Sequence, residues 1–456
     1  MTIMKTTYFS KLSFAFLVGL GATTALTSCS FEDEDYFDQP AALRIEQATT
    51  DIQKILVDAP NGWVMQYFTG MNEVEGFNLL ARFDQNGKVT LGGNHRYLRD
   101  GNANKYTEAT SLYQMLREDG PVLAFNTWNE ILTPFIDPVD YKQAPRVLVK
   151  DGEGMHGDHN LVVTSYSKDE ILLRGERYGA IVRMVPCPAE SWQEYIDSVA
   201  ATKNRFATSA ISNYYVINGT DTLYFKNLRS GVITYCERID DPLFPTTINC
   251  VFTPVGFRLH HQNNINGTTF QEFHISPDST CLLSENDSVR VVACWNDYII
   301  NSFKSGSHVW YFDAADFKGQ QATVYSQLVA EVAKSFNGGG KLEGIGLGTT
   351  DNKASYFVLR FSFVNRGQTV YRTASMPVSI VKTDFNKFEI IFNSSSKGDA
   401  NMNTLVAQGA KEAESLLRSL AATLVGTYTF IPNNYFLPSS FTMTDESNNT
   451  YTLSHQ

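Results

Sequence analysis

The stretch "WVMQYFTGMNEVEGFNLLARFDQNGKVTLGG", residues 63–93, holds the pattern that decides the fold. Three runs in it, "WVMQYF", "FNLLARF" and "KVTLGG", have the length of β-strands, and the first two are rich in the aromatic residues that strands favour. The turn "DQNG" at 84–87 joins the last two runs, and a turn of this length connects antiparallel neighbours. The stretch therefore predicts an antiparallel sheet.

The flanking sequence extends this sheet into a domain. Upstream, apolar residues recur at helical spacing between Leu43 and Leu56, and the turn-forming residues 58–62 end that helix. Downstream, "PVLAF", "NLVVTSYS" and "EILLRGERYGAIVRMVP" are further strand candidates. We therefore assign residues 41–188 to a helix followed by a β-rich domain. It is barrel- or sandwich-like, and a lipocalin-like barrel is one possibility.

The same order of helix and strands recurs in the second half of the chain. "PAESWQEYIDSVAATKNRFATS", residues 188–209, predicts a helix that leads into several strands. From about residue 300 the pattern appears again, with one long helix expected over "NTLVAQGAKEAESLLRSLAATL", residues 403–424. We assign residues 189–456 to a C-terminal α+β region with a subdivision near 300. The predicted class is α+β, predominantly antiparallel β, in helix-then-sheet units.

Residues 1–28 have the layout of an export signal, with Lys5 and Lys11 before an apolar run that small residues close. Leu26-Thr27-Ser28-Cys29 resembles a bacterial lipobox, in which the cysteine sulfur is acylated and the signal is cut before it. Several acyl chains, palmitate among them, bury enough CH₂ groups for a durable anchor. We expect a lipoprotein that is attached to the outer membrane through Cys29.

An acidic tether, residues 29–40, follows the cysteine. Its residues Glu32, Asp33, Glu34 and Asp35 resemble the surface-export signal of Bacteroidetes lipoproteins. We therefore expect the extracellular face of the outer membrane. A run of charges is also an ordinary solvated tether, and that alternative fits either face of the membrane.

The charge of the chain argues against nucleic acid as a partner. Removal of a leader that holds Lys5 and Lys11 and no acidic residue changes the formal net charge from −11 to −13. A chain this acidic repels phosphate backbones, and no run of Lys or Arg offers a local exception.

Five cysteines follow Cys29, so at least one of them is unpaired within a monomer. Cys236 and Cys250 bracket one turn-rich segment, and Cys281 and Cys294 bracket another. Two cross-strand disulfides are therefore possible. The alternative is that these cysteines are buried as small apolar side chains, and the sequence leaves both interpretations open.

One loop, "DGEGMHGDHN" at 151–160, is the best candidate for a metal site. Glu153, His156, Asp158 and His159 crowd it, and His-x-x-His can bind zinc on a rigid element. Because these residues lie among glycines in a hairpin loop, we treat His156, Asp158 and His159 as weak candidates and expect no metal and no cofactor. The sequence contains neither HExxH nor GxSxG, although a pair of carboxylates distant in sequence could still serve a hydrolase.

Four hydroxyl residues follow an aspartate and precede a small or apolar residue. They resemble the Bacteroidetes O-glycosylation pattern, which suggests modification of Ser198, Thr222, Ser279 and Ser288. Chance alone would give about two such matches in a chain of this composition.

With these stretches laid out, the chain resembles a Bacteroidetes lipoprotein family known as domain of unknown function 4302. The resemblance rests on residues 59–65, "GFNLLARFDQNGKVT", "DGPVLAFNTWNEIL", Gly157-Asp158 and the closing segment 424–453. It implies an accessory lipoprotein of the cell surface that works beside a TonB-dependent transporter and a SusD-like lipoprotein. It implies no catalytic residues.

Our first hypothesis is therefore a non-catalytic binding component of such an uptake system. A surface lipoprotein that hydrolyses glycans or peptides is one alternative. A structural or adhesion protein of the surface is the other.

Overall fold

The computed structural model describes residues 39–99, 101–137, 154–207, 211, 213–236, 246–305, 309–351, 353–384, 386–434 and 436–455. The predicted signal peptide, Cys29, the acidic residues Glu32, Asp33, Glu34 and Asp35, and Glu153 lie outside the described residues.

The first closed barrel has eight antiparallel strands in chain order. They are β1 (Trp63–Phe68), β2 (Phe77–Phe83), β3 (Lys88–Gly93), β4 (Thr107–Arg117), β5 (Pro121–Phe125), β6 (Asn160–Tyr166), β7 (Ile171–Gly175) and β8 (Ile181–Pro186). The helix α1 (Ala41–Asp58) precedes the barrel, and α2 (Thr133–Ile136) lies between β5 and β6. Pairing of β1 with β8, with Trp63 opposite Pro186, closes the barrel.

The second closed barrel follows the helix α3 (Trp192–Ala207) and again has eight strands. They are β9 (Asn213–Asn218), β10 (Asp221–Lys226), β11 (Val232–Cys236), β12 (Thr246–Thr253), β13 (Gly256–Ile265), β14 (Thr268–Ile275), β15 (Leu282–Ser284) and β16 (Arg290–Ala293). Pairing of β9 with β16, with Val216 opposite Val291, closes it.

The third closed barrel follows the helix α4 (Trp295–Ser305). Its strands are β17 (Trp310–Phe312), β18 (Lys341–Gly348), β19 (Ser355–Asn365), β20 (Gln368–Asp384), β21 (Lys387–Ile391), β22 (Gly426–Pro432), β23 (Ser440–Asp445) and β24 (Thr450–His455). The helices α5 (Gln320–Ala333) and α6 (Ser335–Gly338) follow β17, and α7 (Ala400–Ala407) and α8 (Ala413–Ala422) follow β21. Pairing of β17 with β24 closes the barrel.

All six residues of β1 are buried because both faces of the strand are covered. Trp63, Met65 and Tyr67 belong to the apolar core of the first barrel. The alternate residues point outward, where the ring of Phe68 lies 4.9 Å from the ring of His260 in the second barrel. An eight-stranded barrel is just wide enough for side chains to fill it, and the aromatic residues of the first barrel do so. Room for a ligand is therefore to be sought outside this barrel.

The structure confirms the predicted fold class and resolves the choice between barrel and sandwich in favour of barrels. The long helix expected over 403–424 is wrong, because the chain breaks between α7 and α8. At the break Gly409 has a φ of +121°, which L-residues with a side chain rarely adopt. Residues 45–456 form one compact unit, and the domain bounds at 188 and near 300 stay predictions. Among the described residues, no helix is long and apolar enough to cross a membrane.

Candidate ligand-binding cleft

The weak metal candidates do not converge in the structure. The ring of His156 stacks on that of Tyr178, with centroids 4.6 Å apart. Asp158 is buried, and its carboxylate accepts hydrogen bonds from backbone N–H groups between residues 177 and 180. His159 is exposed. Within the described ranges, no three His, Cys, Asp or Glu side chains are grouped so that they could hold a metal ion.

The first possible disulfide is not formed among the described residues, because strand register keeps its cysteines apart. Cys250 is a buried free thiol. Its backbone N–H donates a hydrogen bond to the carbonyl of Gly231, at one end of the ladder between β11 and β12. Cys236 follows Tyr235, which pairs with Thr246 at the other end. Cys236 lies five residues after Gly231, so at about 3.4 Å per residue the two cysteines lie roughly 17 Å apart, and a disulfide needs Cα atoms within about 7 Å. Burial raises the pKa of the Cys250 thiol, as expected for a cysteine that serves as an apolar side chain.

The second possible disulfide is not formed in the described part of the chain either. Leu282 pairs with Val291, so the register places Cys281 opposite Val292 and Cys294 two residues further along. Such diagonal neighbours lie on the order of 8 Å apart, and Cys281 is a free thiol. Of the two interpretations that the sequence left open, the described residues therefore fit buried or half-buried thiols and not two cross-strand disulfides.

The four proposed glycosylation residues lie in different surroundings. Ser198 is half-buried on α3, where its hydroxyl donates to the carbonyl of Tyr195 at 2.7 Å. Thr222 lies on β10, and Ser279 and Ser288 lie in turns that flank β15. Ser288 is exposed, which suits an acceptor residue. Modification at these residues stays a prediction.

A cleft of about 480 Å³ opens between the first barrel and α3, and we call it the inter-barrel cleft. The α3 wall is apolar: Ile196, Val199 and Ala200 recur at helical spacing on the face that lines the cleft. The rings of Phe77 and Phe252 extend this apolar surface. One side of the cleft can therefore cover the apolar face of a small molecule.

Four side-chain amides also line the inter-barrel cleft, three from the first barrel and one from α3 itself. Asn78 comes from β2, Asn94 and Asn104 come from the loop after β3, and Asn204 comes from the last turn of α3. A side-chain amide offers both a donor and an acceptor. Four of them in one cleft suit a ligand whose hydroxyl groups both donate and accept.

The second barrel holds the segment 71–78 in place with hydrogen bonds. The amide of Asn249 donates to the carbonyls of Met71 and Val74 at 3.0 and 2.8 Å. The N–H of Gly76 donates to the carbonyl of Cys250 at 3.0 Å, and the amide of Asn78 donates to that of Phe252 at 2.7 Å. Because these bonds come from strand β12, the two barrels together fix the geometry of the cleft.

An ion pair spans the inter-barrel cleft. The Lys203 ammonium on α3 lies 2.7 and 2.5 Å from the two carboxylate oxygens of Glu75. Gly231 makes room for this carboxylate, because a Cβ there would lie 2.7 Å from the Cβ of Glu75. The charges of Glu75 and Lys203 cancel, and Arg96 therefore gives the cleft lining a net charge of one positive unit. Its guanidinium donates to the hydroxyl of Tyr97 at 2.6 Å.

His95 lies in the wall of the cleft as a neutral side chain. Its Nε2 donates to the carbonyl of Ile131 at 2.8 Å, and its Nδ1 accepts from the N–H of Tyr97 at 3.3 Å. Burial lowers the pKa of His95 to about 4. Both ring nitrogens are therefore engaged in fixing the loop that carries Asn94 and Asn104.

The inter-barrel cleft was not predicted from the sequence. Its walls come from segments near residues 75, 95 and 200, which are far apart in the chain. The apolar stripe of α3 was a visible signal, but it predicts a packed helix face equally well.

A family model described as Domain of unknown function (DUF4302) matches residues 33–277, more than half of the chain. The match covers the whole first barrel, α3 and β9 to β14, and with them every residue that lines the inter-barrel cleft. It confirms the family resemblance, although the closing segment 424–453 lies beyond the matched residues. No curated protein matches the chain.

Proposed function

The chain belongs to the family described as Domain of unknown function (DUF4302), and for this member we propose a non-catalytic binding role at the cell surface. A lipid on Cys29 anchors it to the outer membrane, and Glu32, Asp33, Glu34 and Asp35 direct it to the extracellular face. There it binds a nutrient for an uptake system built from a TonB-dependent transporter and a SusD-like lipoprotein. The lipobox pattern and the acidic run support the location.

The inter-barrel cleft is the observation that carries the binding role. Its volume of about 480 Å³ lies within the range of roughly 300 to 1,000 Å³ typical of small-molecule sites. The apolar residues of α3 face three amides of the first barrel, and Asn204 on α3 adds a fourth. This arrangement matches a molecule with one apolar face and a rim of hydroxyl groups. A sugar ring has this character, so we propose a saccharide as the ligand.

The ionisable groups of the cleft are held in fixed contacts and are not arranged to transfer protons. Glu75 is paired with Lys203, and both nitrogens of the His95 ring are bonded to the backbone. A general acid or base needs a pKa near the working pH and access to the reacting atom. The pKa of His95, lowered to about 4 by burial, does not meet the first requirement. These features favour binding over hydrolysis.

The experiment blocks the cleft from α3. Ala200 lines the cleft and is exposed, so Ala200→Trp fills it without disturbing a buried contact. The mature chain with Cys29→Ser is titrated calorimetrically with neutral disaccharides, namely maltose, cellobiose and galactobiose. We expect at least one to bind, and Ala200→Trp to weaken its binding by more than about ten-fold, or 1.4 kcal/mol.

The matched control is Ala201→Trp, which adds the same side chain to the next exposed position of α3. One residue turns a helix by about 100°, so this ring points away from the cleft. The control should keep wild-type affinity. Equal affinities of the two variants, or no binding by any of the three disaccharides, would contradict the proposed role.

A further inference from the structure

A second cleft, of about 600 Å³, lies between the outer wall of the second barrel and the end of the hairpin β20–β21 in the third. We call it the tyrosine cleft. Its lining includes Tyr215, Thr222, Tyr224, Arg290, Lys382 and Asp384. It shares no residue with the inter-barrel cleft.

The strand register explains how the barrel wall of the tyrosine cleft is built. Tyr215 lies opposite Tyr224, and Ile217 lies opposite both Thr222 and Arg290. Since side chains alternate along a strand, these five residues share the outer face of three adjacent strands. The wall is therefore one continuous surface of two tyrosines, a threonine, an isoleucine and an arginine.

The two tyrosines form an aromatic corner. Their ring centroids are 5.2 Å apart, and the ring planes meet at 61°. Tyr215 points outward from its barrel but is only 8% exposed, because the third barrel covers it. Lys382 on β20 donates to its hydroxyl at 3.5 Å. Tyr224 remains half-buried, with part of its surface open to the cleft.

Positive charge exceeds negative charge in this lining. Arg290 and Lys382 contribute two cations, and Asp384 contributes one anion. Arg290 forms no ion pair with any residue that the structure describes. The formal net charge of the whole chain is −11, so this cleft is a local reversal of the protein's general charge. An anionic group is therefore attracted to the cleft while most of the surface repels it.

We propose that the tyrosine cleft is a second binding site, for an acidic saccharide. The sugar carboxylate pairs with Arg290, whose planar guanidinium matches a carboxylate, and with the ammonium of Lys382. The C–H face of the sugar packs on the ring of Tyr224, since the negative face of an aromatic ring attracts such C–H groups. Thr222 and Asp384 form hydrogen bonds with hydroxyl groups of the sugar. This site goes beyond the proposed function and does not depend on the inter-barrel cleft.

The experiment compares two sugars that differ in charge. The mature chain with Cys29→Ser is made in a host that adds no O-glycan, so that the Thr222 hydroxyl is bare. It is titrated calorimetrically with digalacturonate and with galactobiose, which lacks the carboxylates. We expect digalacturonate to bind at the tyrosine cleft. We expect that neutral sugars do not compete with it there. Inorganic sulfate at a tenfold excess over digalacturonate should leave its affinity within about two-fold.

Two variants and a control assign the binding to the cleft. Arg290→Gln should weaken digalacturonate binding about ten-fold or more, because a hydrogen bond to a charged group is lost. Tyr224→Leu should weaken it as well, through loss of the ring. Arg366→Gln, at the exposed turn between β19 and β20, should keep wild-type affinity. Ala200→Trp should also leave digalacturonate binding unchanged, which separates this site from the inter-barrel cleft.

Each contrary outcome overturns the proposal. If digalacturonate does not bind, or if Arg290→Gln and Arg366→Gln bind it equally well, the tyrosine cleft is not its site. If galactobiose binds at the cleft as tightly as digalacturonate, or if sulfate displaces digalacturonate completely, the site does not recognise an acidic saccharide. If Ala200→Trp abolishes digalacturonate binding, the sugar occupies the inter-barrel cleft instead.

Discussion

Asp158 fixes the turn between β7 and β8 through its carboxylate. Oδ1 accepts from the N–H groups of Arg177 and Tyr178 at 2.9 and 3.1 Å, and Oδ2 accepts from that of Ala180 at 3.0 Å. The backbone of Asp158 also exchanges hydrogen bonds with the buried hydroxyl of Tyr67. The residue that the sequence offered as a weak metal ligand is thus a structural acceptor, and no pattern in the loop distinguishes these two roles.

We predict that Asp158→Ala lowers the free energy of unfolding by about 3 kcal/mol or more, because several backbone N–H groups lose their acceptor in a buried place. Asp169→Ala, an exposed residue in the preceding turn, is the control and should change it by less than about 0.5 kcal/mol. Urea unfolding followed by tryptophan fluorescence measures both. Equal midpoints for the two variants would contradict the structural role of Asp158.

At the scale of elements, the turn 59–62 joins α1 to β1 and also supports α3. Gly62 has a φ of +73°, and a Cβ there would lie 2.5 Å from the carbonyl oxygen of Ala81 and 2.9 Å from the Trp192 ring. The indole N–H of Trp192 donates to the carbonyl of Asn61 at 2.7 Å. A residue with a side chain at position 62 would therefore disturb both the first barrel and the helix that follows it.

We predict that Gly62→Ala lowers the free energy of unfolding by about 3 kcal/mol, of which roughly 1 kcal/mol is the left-handed backbone and the rest the close contacts. Gly267→Ala is the matched control. Gly267 has a φ of +81°, but a Cβ at this residue would meet no atom within 4 Å, so only the backbone cost of about 1 kcal/mol applies. Thermal unfolding of the two variants measures the difference, and the same loss in both would refute the contact argument.

Many elements could be predicted because their own residues determine them. The runs "WVMQYF", "FNLLARF" and "KVTLGG" coincide with β1, β2 and β3. The helix over 188–209 contains α3, and its apolar spacing faces the core. The break between α7 and α8 was missed because one glycine inside an apolar helical pattern is often tolerated. The short strands β15 and β17 have three residues each, too few for a visible alternation.

At the scale of the whole molecule, neither cleft could be predicted from the sequence. The inter-barrel cleft depends on contacts such as that of Asn249 with Met71 and Val74, which join residues more than 170 positions apart. The tyrosine cleft depends on how the third barrel covers Tyr215. Strand patterns predict that barrels or sandwiches form, but they do not contain the packing of one barrel on another.

The location of the protein is a prediction at the same scale. If the acidic run after Cys29 directs the protein to the extracellular face, as we propose, protease added to intact cells should cleave the native protein. A form with Glu32, Asp33, Glu34 and Asp35 all replaced by alanine should be protected and still carry lipid. Shaving and surface labelling measure both forms, and a periplasmic marker protein controls for cell lysis. Protection of the native form would show that the proposed surface role is wrong.

The closure of each barrel by its own first and last strands has a consequence for how the chain is made. Strand order around every barrel follows chain order, so no barrel needs a later segment to complete its sheet. When the chain emerges with its N-terminus first, the first barrel can close as soon as Pro186, the last residue of β8, has emerged. The rest of the chain need not have emerged by then. Open strand edges are sites of association between chains, and N-terminal domains fold first during synthesis. Assembly in three successive steps thus limits the edges that are open at any one time to those of a single barrel.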